Sequence, residues 1–218
     1  MTTPQPIRIG VMGTHSTGKT TLLKRIEMEL RAHGIPVART GRLGKRAALA
    51  GLPKMQHHTA ASTEWVITQG IADEIAATRP NPEPIQVVLA DRAVWDALAY
   101  FHAAEQWRQE TPDPLERERL RLLASTQAPK YDVLLATVLD ETLPVENKHD
   151  YDARYRALVD HHTHVLLAED EIPHQRVTSD PDTTRPVPSS TRSSSASARR
   201  QREQSDTGMV AASEGDGQ

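Results

Sequence analysis

Between Gly10 and Thr21 the chain reads Gly-Val-Met-Gly-Thr-His-Ser-Thr-Gly-Lys-Thr-Thr, and Gly13, Gly18, Lys19 and Thr20 complete a G-x-x-x-x-G-K-[ST] pattern. Those residue types at that spacing make a phosphate site. Glycines let successive backbone N–H groups curl around an anion at the positive end of a helix, the lysine adds a mobile charge, and the Thr20 hydroxyl suits Mg²⁺. Thr14, His15, Ser16, Thr17 and Thr21 fill out the loop that would touch a nucleoside triphosphate. A second chemical feature is Asp91-Arg92, at the end of the β-branched run Ile85 to Asp91. A strand-end carboxylate suits Mg²⁺ or its water opposite Thr20, and the adjoining guanidinium suits bidentate grip of a phosphate. The competing local reading of Asp91 is the cap of the next helix. Lys19, Asp91 and Arg92 are therefore the candidate catalytic groups, and Thr20 with Asp91 the candidate metal pair.

These groups require particular elements beneath them. Ile7 to Met12 is a short apolar run of strand type, and Leu22, Leu23, Ile26 and Leu30 recur at helical spacing after the loop. That predicts strand, loop, helix, with Gly34 ending the helix and a second strand at 35–39. Thr40 to Arg46 reads as a basic glycine-containing loop, and ligands of open α/β sheets collect beyond the strand ends, so Arg42 is a candidate contact to a substrate phosphate. A helix is predicted over 58–78, with Trp65, Ile67, Ile71 and Ile75 apolar; Gln69 on its polar side is a candidate hydrogen-bonding partner of a substrate, against a plain solvated face. The helix at 93–109 carries Asp96, a further substrate candidate, and Trp95 and Tyr100, which suit either base stacking or core. Helix 115–126, strand 131–139, a polar loop 141–150, helix 151–169 and an edge strand 172–177 follow. Lys148, Arg154 and Arg156 would serve a lid that closes over triphosphate.

The bulk numbers narrow the class. With 218 residues, 37% hydrophobic, 25% charged and net charge −3, the chain suits one domain over 1–180. The Ser/Pro/Arg-rich stretch 181–218 has too few large apolar side chains to offset ordering and is expected to be disordered. The balance argues against a dedicated nucleic-acid binder. The lack of cysteine excludes disulfides, thiolate nucleophiles and cysteine-ligated metals. No apolar run is long enough for a membrane span and no signal pattern opens the chain, so the expected location is cytoplasmic. His161 and His164 lie one helical turn apart, but without further ligands a solvated face is expected rather than zinc. Oligomeric state is not encoded in any of these features.

The residues Gly13 to Thr21, the segment Leu89-Ala90-Asp91-Arg92-Ala93-Val94-Trp95-Asp96-Ala97-Leu98-Ala99-Tyr100 and Asp152-Ala153-Arg154-Tyr155-Arg156 resemble the P-loop nucleoside and nucleotide kinase-like proteins. The likeness is to the AAA-type group that includes nicotinamide riboside kinase domains, and it covers about residues 6 to 180. The middle segment is similar to the Asp-Arg motif of thymidylate kinases, whose arginine binds the acceptor's phosphate. The resemblance implies a P-loop NTPase fold, three α/β/α layers around a five-stranded parallel sheet in the order 2-3-1-4-5, with a lid. It also implies ATP with Mg²⁺ as donor to a small acceptor, a nucleotide or nucleoside-like metabolite; no feature separates ATP from GTP. Arg39-Thr40-Gly41-Arg42 stands where many relatives carry an acidic residue, and Glu146-Asn147-Lys148-His149 where they often show Asp-Gly-x-Arg. The first departure moves the expected acceptor toward one already phosphorylated. The same loop would equally serve a nucleotide-dependent switch or accessory ATPase acting through a protein partner.

Overall fold

The computed structural model describes residues 5–79, 83–127, 130–142 and 152–178. Along the chain run β1 (Ile7–Met12), α1 (Lys19–Ala32), β2 (Val37–Thr40), α2 (Leu43–Leu49), a 3-10 turn (Met55–His57), α3 (Ala60–Ala77), β3 (Val87–Asp91), α4 (Trp95–Arg108), α5 (Pro114–Ser125), β4 (Val133–Thr137), α6 (Ala153–Glu169) and β5 (Gln175–Val177). The five strands are parallel in the order β2-β3-β1-β4-β5. This is the expected order. It puts the phosphate-loop strand in the centre, with β3 on one side and β4 on the other.

Alternation along the strands splits the core in two, since successive side chains leave a strand on opposite faces. Val11, Val87, Leu89 and Leu135 join Leu23 of α1 in one apolar cluster. Met12, Leu134 and Ala136 join Ile67, Leu98, Leu120 and Leu166 from the helices of the other face. A sheet covered on both sides explains why β3 reads Val-Val-Leu-Ala without polar interruption, all four residues being buried.

Helix α4 is enclosed on nearly every side, with Trp95 through Phe101 all buried. Its alanines at 97, 99, 103 and 104 keep the backbone close to its neighbours, and each fully buried large side chain, such as Leu98 or Phe101, contributes roughly 1.5–3 kcal/mol. Helices α3, α5 and α6 start on side-chain caps. Thr59 and Ser62 form a reciprocal capping box on α3, Asp113 with Pro114 opens α5, and the Asp152 carboxylate accepts the Tyr155 N–H at 2.9 Å at the head of α6.

Two expectations change. The stretch beginning at Thr40 is not all loop: Leu43–Leu49 is helix α2, with Leu43 and Ala47, one turn apart, buried. Gly70 of α3 leaves the space in which Leu43 sits, since a Cβ there would lie 3.3 Å from its methyl carbon. Ile75 of α3 is 49% exposed and lies off the core face. Among the described residues no helix is long and apolar enough to cross a membrane. The expected tail from 181 onward lies outside the described residues.

Candidate functional site

The loop between β1 and α1 is built from unusual backbone. Gly13 has φ +133, Ser16 +58 and Gly18 +79, and such positive-φ steps in a tight loop wind N–H groups into a concave anion nest. A side chain at Gly13 would run into the Thr137 hydroxyl and approach its carbonyl to 3.0 Å, so this glycine is dictated by the close passage of β4 as well as by its φ. The loop is anchored from outside at several atoms. The Gly13 N–H donates to Asp96 Oδ1 at 2.8 Å, and the Thr17 hydroxyl donates to the Thr14 carbonyl at 2.9 Å and lies 2.7 Å from that of Thr137. Arg156 donates to the carbonyls of His15 and Ser16 at 3.2 and 3.3 Å.

Lys19 is the first residue of α1, and its ammonium turns back onto the loop, donating to the Thr14 carbonyl and, at 3.2 Å, to the Thr17 hydroxyl. The residue is 5% exposed. Burial pushes its pKa from 10.5 to about 7, with the positive charge of Arg92 acting in the same direction and Asp96 and Asp91 opposing.

Thr20 and Asp91 meet as the sheet order requires. Asp91 stands opposite Val11 in the β1–β3 register, and the Thr20 hydroxyl lies 3.4 and 3.3 Å from its two carboxylate oxygens. Asp91 has a second partner: Arg39 Nη2 donates to its Oδ2 at 2.6 Å, while Arg39 Nη1 lies 3.6 Å from Glu27 of α1. A hard cation takes oxygen donors, and the adjacent Thr20 and Asp91 oxygens suit Mg²⁺, with Asp91 Oδ1 the carboxylate oxygen not given to Arg39. Among the described residues no group of three or more His, Asp or Glu is arranged around one metal position.

The third part lies one helical turn further on. Arg92, at φ +90, pairs with the 3%-exposed carboxylate of Asp96, and its guanidinium carbon lies 5.0 Å from the centre of the Tyr100 ring. Asp96 thus ties the phosphate loop to the arginine. Tyr100 contacts His15 Nδ1 at 3.4 Å and has its pKa pushed up to about 12 by burial. Burial lowers His15 to about 3 and His58 to about 4, with Arg92 second in each case, so both rings are neutral at pH 7. These residues, with Met55, Val66 and Ala97, line a cavity of about 540 Å³ rimmed by Lys45 and Lys54.

The other sequence candidates separate. Arg42, at φ +62 as the residue before α2, lines an open pocket with Thr20, Arg39, Lys45, Asp91 and Arg92. Gln69 is drawn away from it: its amide donates to Asp73 at 3.1 Å, and Asp73 pairs with Arg46. Arg154 lies 5.4 Å over the ring of Trp107. Arg156, read as a lid residue, is buried beneath the loop with its bonds directed at loop carbonyls. Lys148 lies outside the described residues. His161 and His162 pack ring to ring, and His164 faces Asp160 at 3.9 Å. Arg39 and His58 were not among the sequence candidates, and Lys45 entered only as part of the basic stretch Thr40 to Arg46. Arg39 had a signal in standing where many relatives carry an acidic residue, and Lys45 in its basic neighbours, but nothing local marks His58.

The family model of the AAA domain matches residues 8–186. No curated protein matches the chain. Among solved structures, the NadR protein in complex with NAD and AMP-PNP is 19% identical with a TM-score of 0.57, over 81% of this chain and 45% of its own. The NadR protein in complex with NR is 17% identical at 0.57, over 83% and 47%. Thymidylate kinase from Candida albicans is 15% identical at 0.53, over 81% and 85%. The chain thus spans a little under half the length of the NadR chains. At these identities the likeness carries the fold, a kinase-like P-loop NTPase fold. With its central phosphate loop and 2-3-1-4-5 sheet, the chain belongs to the AAA domain family.

Proposed function

We propose that this protein is an ATP-dependent phosphotransferase that moves the γ-phosphoryl group of Mg–ATP to a small nucleotide-like or nucleoside-like acceptor. The observation that carries the reading is the Gly13–Asp96–Arg92 connection. One buried carboxylate holds both the phosphate loop and a guanidinium at the mouth of a 540 Å³ cavity, so donor and acceptor positions share one rigid support.

In this reading the loop N–H groups and Lys19 hold the β- and γ-phosphates, and Lys19, whose proton burial has loosened, is held in its charged form by the anion it meets. Thr20 and Asp91 would hold Mg²⁺. Bound there, the ion neutralises charge on the phosphates. Arg92, fixed by Asp96 and Tyr100, orients the acceptor, and Arg156 keeps the loop in shape from below. Lys148 and Arg154 are assigned to closure over the triphosphate. Catalysis of this kind is positioning and electrostatics, so it needs little covalent chemistry from the protein. The activity is placed in residues 1–180, in a soluble cytoplasmic protein.

The test is a phosphoryl-transfer screen with purified protein across nucleosides, nucleoside monophosphates and sugar-like acceptors. Acceptor-stimulated ADP release that Lys19→Ala abolishes is the expected result. Slow hydrolysis indifferent to every acceptor would instead mark a nucleotide-dependent switch or accessory ATPase.

A further inference from the structure

Two hollows meet at Arg92, Lys45 and the start of α2. One is the cavity under Tyr100; the other is an open pocket of about 700 Å³ beside Thr20 and Asp91. The open pocket collects five cationic side chains, Lys24, Arg39, Arg42, Lys45 and Arg92, against the single carboxylate of Asp91. Sheet order brings them together, because β2 lies next to β3 and its end, Thr40, stands opposite Ala90. Arg39 and Arg92 already have carboxylate partners, whereas Lys24, Arg42 and Lys45 have no ion pair among the described residues. Like charges gathered in a concavity focus a positive potential that favours an anion.

The carboxylates tell the same story from the other side. Asp91 and Asp96 are the two that line these hollows among the described residues, and each is bonded to a guanidinium. A hydroxyl acceptor needs a base within hydrogen-bond reach of its proton, and a carboxylate engaged in that way is a poor one. A phosphate monoester is already ionised and needs none.

We infer that the acceptor is a phosphomonoester, its phosphate held in the open pocket by Arg39, Arg42 and Lys45 and its uncharged, apolar or aromatic part seated in the cavity between Tyr100, Val66 and Met55. This rests on the phosphotransferase reading. An oxygen of the acceptor phosphate attacks the γ-phosphorus of ATP. A new P–O–P bond forms as the bond from that phosphorus to the β–γ bridging oxygen breaks, and the electron pair leaves on the β-phosphate of ADP. The acceptor enters as a dianion and leaves as a diphosphate ester trianion, ATP goes from four negative charges to three as ADP, and no proton need be moved.

The experiment uses the full chain saturated with Mg–AMP-PNP, so that the phosphate loop is filled, and compares thermal melting on titration with phenyl phosphate or with phenol. Phenyl phosphate should raise the melting temperature beyond that with AMP-PNP alone and phenol should not. Arg42→Gln combined with Lys45→Gln, both at exposed positions, should weaken the phenyl phosphate effect at least tenfold in half-saturating concentration and leave the AMP-PNP shift intact. Arg42→Lys with Lys45→Arg should retain it. An AMP-PNP shift with no phenyl phosphate effect, an equal effect of phenol, or an effect unaltered by the glutamine pair would overturn this inference alone. Absence of the AMP-PNP shift in the unaltered protein would overturn the phosphotransferase reading and this inference with it.

Discussion

Arg39 Nη2 lies 2.6 Å from Asp91 Oδ2, joining the ends of β2 and β3 across the carboxylate that also faces Thr20. A guanidinium so placed holds the carboxylate still and also competes with any cation for one of its oxygens. Both side chains are largely but not fully buried, at 20% and 16% exposure, so the pair sits between a solvent-screened and an interior salt bridge.

Replacing Arg39 with alanine should therefore cost about 1 kcal/mol of stability while lowering the Mg²⁺ concentration needed for half-maximal nucleotide binding severalfold. Denaturant unfolding and a Mg²⁺ titration at fixed ATP measure the two effects. An unchanged or higher Mg²⁺ requirement would show that Arg39 does not compete for Asp91.

Asp96 is the buried link between loop and arginine, and removing its side chain leaves the Gly13 N–H and Arg92 without it. Asp96→Ala should destabilise the protein by about 3 kcal/mol, the cost typical of breaking a buried charged pair. Asp96→Asn keeps an oxygen for Gly13 but not the charge for Arg92, and should lose less stability than the alanine variant. Equal losses in the two variants on chemical denaturation would argue against the Gly13 contact.

The two loop glycines should respond differently to alanine. Gly18, at φ +79, has nothing within 4 Å of an added Cβ, so Gly18→Ala carries only the left-handed backbone cost of about 1–2 kcal/mol. At Gly13 the same change adds a collision with Thr137, which sits on a buried strand and cannot retreat. Nucleotide affinity measured by calorimetry should fall at least tenfold for Gly13→Ala and clearly less for Gly18→Ala.

Lys19 supplies a pH test with a definite sign. Its folded pKa, about 7, is below the unfolded 10.5, so across that interval the unfolded chain holds a proton the folded chain has released, and stability rises with pH. Relative to Lys19→Met, the unaltered protein should gain about 2 kcal/mol between about pH 7 and about pH 9. Triphosphate binding should reverse the deprotonation. Calorimetry of Mg–ATP binding near pH 8, repeated in buffers of different ionisation enthalpy, should register an uptake approaching one proton, and buffer-independent heats would contradict the assignment.

What was legible in the sequence was local. The glycines, lysine and threonine of the loop lie within eight residues, and their conformational and charge requirements can be stated without knowing the fold. Strand periods were readable because a sheet covered on both faces demands continuous apolar runs, and the strand order came from the resemblance those motifs carry. Helix α2 was within reach too, since Leu43 and Ala47 stand one turn apart in an alanine-rich stretch, but two glycines and three basic residues outweighed them.

The sequence by itself determined that a phosphate-loop pattern stands between β1 and α1, and that Asp91 ends a strand. Only the tertiary structure decided which charges meet. Arg39 and Asp91 are 52 residues apart, Gly13 and Asp96 are 83, and Arg156 is 141 from the His15 carbonyl it holds. Such contacts depend on strand order and helix packing, which no single segment encodes, and coulombic pairing acts over a few ångströms whatever the separation along the chain. For the same reason Asp73, the partner of Gln69, met Arg46 of another helix, Arg156 went beneath the loop rather than above it, and three cations with no ion pair among the described residues gathered beside Asp91.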